Sequence, residues 1–483
     1  LSDILEEIQD VYTQNDYPWV IGYSGGKDST ASVQLVWQAL SKLPESERTK
    51  PVHVISTNTL VETPAIVEHV QTTHERIEHQ AEEDNMPFST HLLEPQVDDT
   101  FWVNLIGRGY PAPNNIFRWC TDRMKIQPSN RFILEQVQKH GNTILVLGSR
   151  RGESATRDQV LNMHKVQGMK HLNRHGQLHG AWVYMPVENF TADDIWKYLI
   201  QSNNAQAPWG NDNRKLANMY QTAQDGECPV VVDTTTPSCG NSRFGCWTCT
   251  VVEKDRSMEA MIDSGKEWMQ PLLDFRDWLK ETQDPENKPE QREHKGRRGD
   301  VRIRKSGKLL YRTYKLEFSK EMLRRLLETQ EEVHERNPDY EDLISKDELA
   351  RIRQIWMTER QDWEDSLPEI YKEVTGETLP WPDEDVSKPG NVEAEVLGEV
   401  AEKYDVPENM MRKLIDSEWQ HHGMRRRATI HKDIESIMSE DWRSRDEVLE
   451  AAEELRQQYE KEQKQEGRVN GDSSAEKTDK VTA

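Results

Sequence analysis

A buried run, Trp19-Val20-Ile21-Gly22-Tyr23, leads without a break into Ser24-Gly25-Gly26-Lys27-Asp28-Ser29-Thr30 and then into an amphipathic stretch from Asp28 to Leu40. This segment limits the fold more than any other. It predicts a strand, a glycine turn and a helix whose N-terminus sits at the strand's end. Glycine lets the backbone approach an anion closely. The first helical N–H groups lack intrahelical partners and carry the positive end of the helix dipole. Ser24, Ser29 and Thr30 add hydroxyls and Lys27 adds a cation, while Asp28 suits a helix cap or a Mg²⁺ ligand. The loop is not a Walker A motif. Ile21 stands where that motif needs its first glycine, and Asp28 separates Lys27 from Ser29.

The same alternation continues downstream. Strands are expected at Val52–Ser56 and Thr143–Leu147, and helices over Pro64–Glu82, Phe132–Lys139 and from Ala192 behind a Thr191 N-cap. Alternating strands and helices imply parallel strands joined by right-handed crossovers. After Pro271 the composition changes: 284–298 is polar, Val301–Lys315 suits a hairpin around Lys305-Ser306-Gly307-Lys308, and the chain beyond Ser319 reads as helices. The expected fold class is α/β, a doubly wound, mostly parallel sheet followed by a C-terminal helical region. The expected divisions are 1–265, a linker and basic hairpin over 266–318, helices over 319–459, and a disordered tail over 460–483.

A second anion loop follows the strand at 143. Arg150, Arg151 and Arg157 lie in a glycine-bounded turn, and guanidinium groups match phosphate geometry. The five cysteines are Cys120, Cys228, Cys239, Cys246 and Cys249, four of them within 22 residues. Such a segment can wrap a tetrahedral Zn²⁺ or an iron–sulfur cluster, and the spacing leaves both open. Cys120 stands beside Arg118 and Lys125, cations that would favour its thiolate.

Taken together these motifs resemble the PP-loop ATP pyrophosphatases, an adenine nucleotide alpha hydrolase-like fold. Ser24–Ser29 is similar to their phosphate loop. Arg118-Trp119-Cys120 through Lys125, and Gly148–Arg157, resemble the phosphoadenosine-phosphosulfate reductase branch. Glu227-Cys228-Pro229 and Cys239–Thr250 resemble the DndC family of DNA phosphorothioation proteins. The resemblance implies ATP with Mg²⁺ at Ser24, Gly25, Gly26, Lys27, Asp28, Ser29 and Thr30. It implies catalytic roles for Lys27, Asp28 and Cys120, and substrate phosphate contacts from Lys125, Arg150, Arg151 and Arg157. It also implies a [4Fe–4S] cluster on Cys228, Cys239, Cys246 and Cys249, with Cys120 replacing Cys228 as the rival assignment. The implied activity is an ATP-dependent sulfurtransferase acting on DNA, with a cysteine desulfurase as sulfur donor and other phosphorothioation proteins as partners.

Two alternatives follow from the same residues. One is a sulfonucleotide reductase, although no cysteine follows Cys249. The other is a non-catalytic DNA- or partner-binding module with a structural metal.

Charge narrows the nucleic-acid question. With 62 basic and 86 acidic residues, the formal net charge is −24, which argues against binding a polyanion over the whole surface. Locally, 292–315 carries ten Lys/Arg against two acidic residues, and Arg297, Arg298, Arg302 and Arg304 are its DNA-contact candidates. No apolar run approaches the roughly 18 residues that span a bilayer, and no secretory leader is seen, so a cytoplasmic location is expected.

Overall fold

The computed structural model describes residues 1–151, 171–222, 245–381, 391–421 and 429–475. The chain forms two compact units: Leu1–Phe101, Pro113–Leu279 and Glu332–Tyr340 in the first, and Trp102–Ala112, Lys280–Glu331 and Glu341–Ala483 in the second.

The first unit holds a six-stranded sheet of β1 (Trp19–Gly22), β2 (Val52–Thr57), β3 (Phe88–Leu93), β4 (Thr143–Val146), β5 (Asn173–Arg174) and β6 (Ala181–Tyr184). The order is β3-β2-β1-β4-β6-β5, all parallel except the short β5 against β6. Around the sheet run α1 (Ser2–Thr13), α2 (Lys27–Ser41), α3 (Pro64–Glu83), α4 (Gln127–His140), α5 (Ala192–Gln201), α6 (Asn213–Thr222), α7 (Arg256–Asp263) and α8 (Gln270–Glu281).

Alternation along β1 explains the double winding. Trp19 and Ile21 join a core built with α1, α2 and α3, including Ile8, Leu35, Val36 and Ile77. Val20 points the other way and packs with Ile55, Leu145 and Ile133 of α4. Strands covered on both faces read as continuous apolar runs, as the first segment does. Thr191 caps α5 as expected: its hydroxyl accepts from Asp194 N at 3.1 Å, and the Asp194 carboxylate accepts from Thr191 N at 2.9 Å.

The first unit runs past 265 to Leu279, because α8 buries Phe275, Leu279 and the wholly enclosed Arg276 within it. In the second unit, the π-helical turn Val103–Gly107 packs on α10 (Lys346–Glu359), which follows α9 (Leu316–Arg336). The Gly107 position lies 3.2 Å from Ile352, and Trp356 Nε1 donates to Ile106 O at 3.1 Å. Further helices are α11 (Ser366–Thr375), α12 (Asn391–Tyr404), α13 (Glu408–His421), α14 (Ile430–Met438) and α15 (Arg445–Ala475). The structure corrects the disordered tail expected from 460: α15 continues to Ala475, in a segment rich in good helix formers and with an Arg456–Glu460 pair at 3.3 Å. Among the described residues, no helix is long and apolar enough to cross a membrane.

Candidate functional site

The glycine turn lies at the carboxyl end of β1, where the chain order reverses between β2 on one side and β4 on the other. Open parallel sheets hold ligands at such a switch point. Gly25 has φ +73°, a left-handed conformation that favours glycine, and Gly26 is the N-cap of α2. The loop is fastened from inside. The Ser29 hydroxyl donates to Gly26 O at 3.0 Å and accepts from Ser24 N at 3.2 Å, while Thr30 Oγ1 donates to Gly26 O at 2.8 Å. Both side chains are buried. Ser29 and Thr30 therefore shape the loop, and Ser24, Gly25 and Gly26 line the cleft it opens into.

Asp28 organises the cations. Its carboxylate accepts from Lys27 Nζ at 2.9 Å and from Arg150 Nε at 2.6 Å. Arg150 can reach because Gly148 lets the strand-end loop touch the first turn of α2. A Cβ at that position would stand 2.8 Å from Asp28 C, Asp28 O and Ser29 N. Arg151 instead pairs with Glu188, and Arg157 lies outside the described residues.

The cleft has a volume of about 710 Å³. Its walls include Ser24–Gly26, Ile55–Asn58 and Tyr220, and also Glu62 and Lys125. Lys125 Nζ donates to Glu62 Oε1 at 2.9 Å. Burial works against the Lys125 charge, but Cys246, Glu62 and Cys120 outweigh it and hold the ammonium above the usual lysine range.

That coupling marks the thiol corner of the site. The turn carrying Cys246 is sewn to the loop after β2 by Thr63 N to Gly245 O (2.9 Å), Trp247 N to Val61 O (3.0 Å) and a Glu62–Cys246 bridge. Cys246 Sγ lies 3.2 Å from Thr59 Oγ1. The turn closes with Cys249 N on Cys246 O at 3.1 Å. Arg276 holds it from beneath, donating to the carbonyls of Cys249 (2.9 Å), Glu253 (2.9 Å) and Val252. Cys120 is near enough to feel the charge of Cys249. The structure thus brings Cys120, Cys246 and Cys249 together, and Cys228 and Cys239 lie outside the described residues.

One expectation is corrected. Cationic neighbours do not lower the Cys120 thiol: burial pushes it up, the charge of Cys249 adds to this, and Thr121 and Lys125 only partly offset it. Arg118 turns to Asn115 and Lys125 is engaged with Glu62. Cys246 is pushed up further, by burial and by Glu62. Among the described residues no three His, Cys, Asp or Glu side chains are placed to hold a metal ion. The donor chemistry nevertheless suits a soft metal: several thiols on a braced turn.

Sequence reasoning missed Glu62, Arg276, His69 and Tyr220. Glu62 directly precedes Thr63-Pro64 at the start of α3, which was its one local signal. His69 packs beneath the loop, its Nε2 3.4 Å from the Tyr23 hydroxyl and its Cδ2 3.2 Å from the Gly25 Cβ position. Burial lowers its pKa, partly opposed by a hydrogen bond with the Gly25 backbone.

The basic segment belongs to the second unit. Bridges Arg292–Tyr314, Lys295–Val301 and Ile303–Leu309 form the expected hairpin. Much of its charge is matched internally: Lys295 with Glu440 (3.0 Å), Arg297 with Glu359 (2.9 Å), and Arg302 and Arg312 with Asp300 (2.8 and 3.2 Å). Arg297, Arg298, Arg302 and Arg304 are all exposed.

Residues 18–252 match the phosphoadenosine phosphosulfate reductase domain family. A curated relative, an uncharacterised protein of Methanocaldococcus jannaschii, is 20% identical over 261 residues, which are 54% of this chain and 42% of that protein. The chain therefore spans less than half the length of that relative. Similar solved structures include a phosphoadenylyl-sulfate reductase from Candida auris (14% identity, 44% of this chain and 84% of that one, TM-score 0.27). Others are the U34-tRNA thiolase NcsA from Methanococcus maripaludis with its [4Fe–4S] cluster (11%, 47% and 75%, TM-score 0.26) and an NH₃-dependent NAD synthetase from Campylobacter jejuni (14%, 48% and 97%, TM-score 0.24). The glycine turn at the switch point of the parallel sheet thus lies within residues 18–252, the stretch similar to the phosphoadenosine phosphosulfate reductase domain family.

Proposed function

We propose that this chain is the ATP-dependent sulfurtransferase component of DNA phosphorothioation. One observation carries the reading: the phosphate-type loop lines one cleft together with Glu62 and Lys125, and these two residues are electrostatically coupled to the Cys246 thiol. ATP with Mg²⁺ binds over Ser24, Gly25, Gly26 and Lys27. An oxygen of a DNA backbone phosphate attacks the α-phosphorus, a new P–O–P bond forms, and pyrophosphate leaves. A sulfur nucleophile then attacks the activated DNA phosphorus and AMP departs. Lys27 and Arg150 stabilise the charge that develops on the phosphates. Asp28 is the carboxylate that orders those two cations, and it would be the residue to hold Mg²⁺.

Cys239, Cys246 and Cys249, with Cys228 or Cys120 as the fourth ligand, would hold a [4Fe–4S] cluster. Such a cluster supplies iron that binds sulfur or passes an electron. Lys125 holds positive charge beside the thiols and favours an anionic sulfur species there. DNA reaches the protein through Arg297, Arg298, Arg302 and Arg304, and sulfur arrives from a cysteine desulfurase.

The test is AMP and pyrophosphate formation with ATP, DNA, cysteine and a desulfurase, scored together with phosphorothioate in the DNA. Lys27→Ala is expected to abolish all three products. Full turnover by that variant overturns the reading. The domain match supports one rival, reduction of a sulfonucleotide. Sulfite released from phosphoadenosine phosphosulfate with a dithiol reductant, and no ATP cleavage, would establish that rival instead.

A further inference from the structure

Three groups that should seek phosphate are already engaged by the protein itself. The Lys27 ammonium and the Arg150 guanidinium share the Asp28 carboxylate. The Lys27 backbone N–H, first in α2, donates to the Tyr220 hydroxyl at 3.2 Å. That oxygen also lies 3.1 Å from where a Gly26 Cβ would be, so it sits directly on the glycine turn. The Tyr220 ring lies 5.4 Å from Lys27 Nζ and meets Trp196 edge-on at 5.2 Å. Tyr220 reaches across from α6, 193 residues further along the chain, and lines the cleft.

We propose that Tyr220 caps the phosphate site: its phenol oxygen stands where a phosphate oxygen would accept from Lys27 N, and it gives up that place when a polyphosphate binds. The proposal rests on the loop being a polyphosphate site, as argued above, and adds a residue that the motif does not contain. A helix N-terminus prefers a charged acceptor to a neutral one, since charge-assisted hydrogen bonds are about twice as strong. A phenol oxygen is thus strong enough to hold the turn in the empty protein and weak enough to be exchanged. The ring needs no new pocket to move, because the cleft it lines is open beside it. Tyr220 is accordingly a positioning residue that sets the threshold for anion entry and takes no part in bond breaking.

Calorimetric titration of the full chain with inorganic pyrophosphate, and separately with ATP, tests this. Tyr220→Phe keeps the ring against Trp196 and Lys27 and removes only the capping oxygen. It is expected to bind pyrophosphate on the order of fivefold more tightly than the parent, the equivalent of one ordinary hydrogen bond that no longer has to be exchanged. Tyr220→Leu, which also lacks the oxygen, is expected to shift the same way. Equal or weaker binding by both variants, with the parent binding normally, overturns the cap and leaves the polyphosphate site standing. No uptake of pyrophosphate or ATP by any of the three proteins overturns the polyphosphate site itself.

Discussion

Gly148 offers the sharpest test of how the two anion loops are joined. Replacing it with alanine puts a Cβ 2.8 Å from Asp28 C, Asp28 O and Ser29 N, all backbone atoms that cannot swing aside. Ordinary contact begins at 3.4 Å, so about 0.6 Å of separation must come from moving one element. The first turn of α2 is held by the Ser29 and Thr30 hydroxyls on Gly26 O, so the loop after β4 is the softer partner. Its retreat carries Arg150 with it and stretches the 2.6 Å contact to Asp28. Forcing an extra methyl into a packed contact costs about 1–3 kcal/mol. If that cost falls on the phosphate-binding geometry, ATP affinity drops roughly fivefold to a hundredfold. Calorimetry with ATP and a thermal melt would read both effects. Gly245→Ala is the control, since a Cβ there meets nothing within 4 Å and its φ is not left-handed. A Gly148→Ala protein with parental ATP affinity and melting temperature would refute the close packing on which this argument depends.

Three further outcomes are expected. Arg276→Met strips three carbonyls of the donor they share, so it should cost roughly 3 kcal/mol in urea unfolding and speed alkylation of Cys249; unchanged values for both would show that the turn needs no brace. His53 and His74 are pulled down to about 4 by burial from 6.5, so the folded protein binds fewer protons than the unfolded chain between those values. Their stabilising effect is complete above about pH 6.5 and is lost as the pH falls toward 4; a His74→Gln variant should flatten that slope in denaturant titrations, and an identical slope would exclude the residue. If the hairpin meets a phosphate backbone, removing Arg298 and Arg304 together should lower the salt dependence of DNA affinity by about two in log–log slope, with no change of sequence preference; an unaltered slope would place DNA elsewhere.

What could be read in the sequence followed from local rules. Trp19–Gly22, the glycine turn and α2 emerge from one continuous stretch, because strand apolarity, turn chemistry and helix periodicity all act over a few residues. β3 did not emerge, since Phe88-Ser89-Thr90-His91 sits at a sheet edge where half-burial admits polar side chains. The short β5 and β6 were missed for a similar reason: Asn173–Arg174 and Ala181–Tyr184 are too brief to show a period. The first half of the site was legible as a motif. The second half was not, because the partnership of Glu62 with Lys125 and of Cys246 with Thr59 depends on segments 63 and 187 residues apart. The basic hairpin was legible as charge, but not the carboxylates that answer it, Glu359 at the end of α10 and Glu440 in the turn after α14.

The stitching of Gly245–Trp247 onto Val61–Thr63 bears on how the molecule comes into being. Those main-chain hydrogen bonds close a span of 182 residues, whereas the glycine turn and its helix form from neighbours. Contacts of such long range bear the largest entropic penalty and come late in folding. The glycine turn with its helix is therefore expected to assemble first, and the turn carrying Cys246 to be laid onto the loop after β2 later. Cys246 would thus meet solvent in the nascent chain and the Thr59 hydroxyl in the finished one.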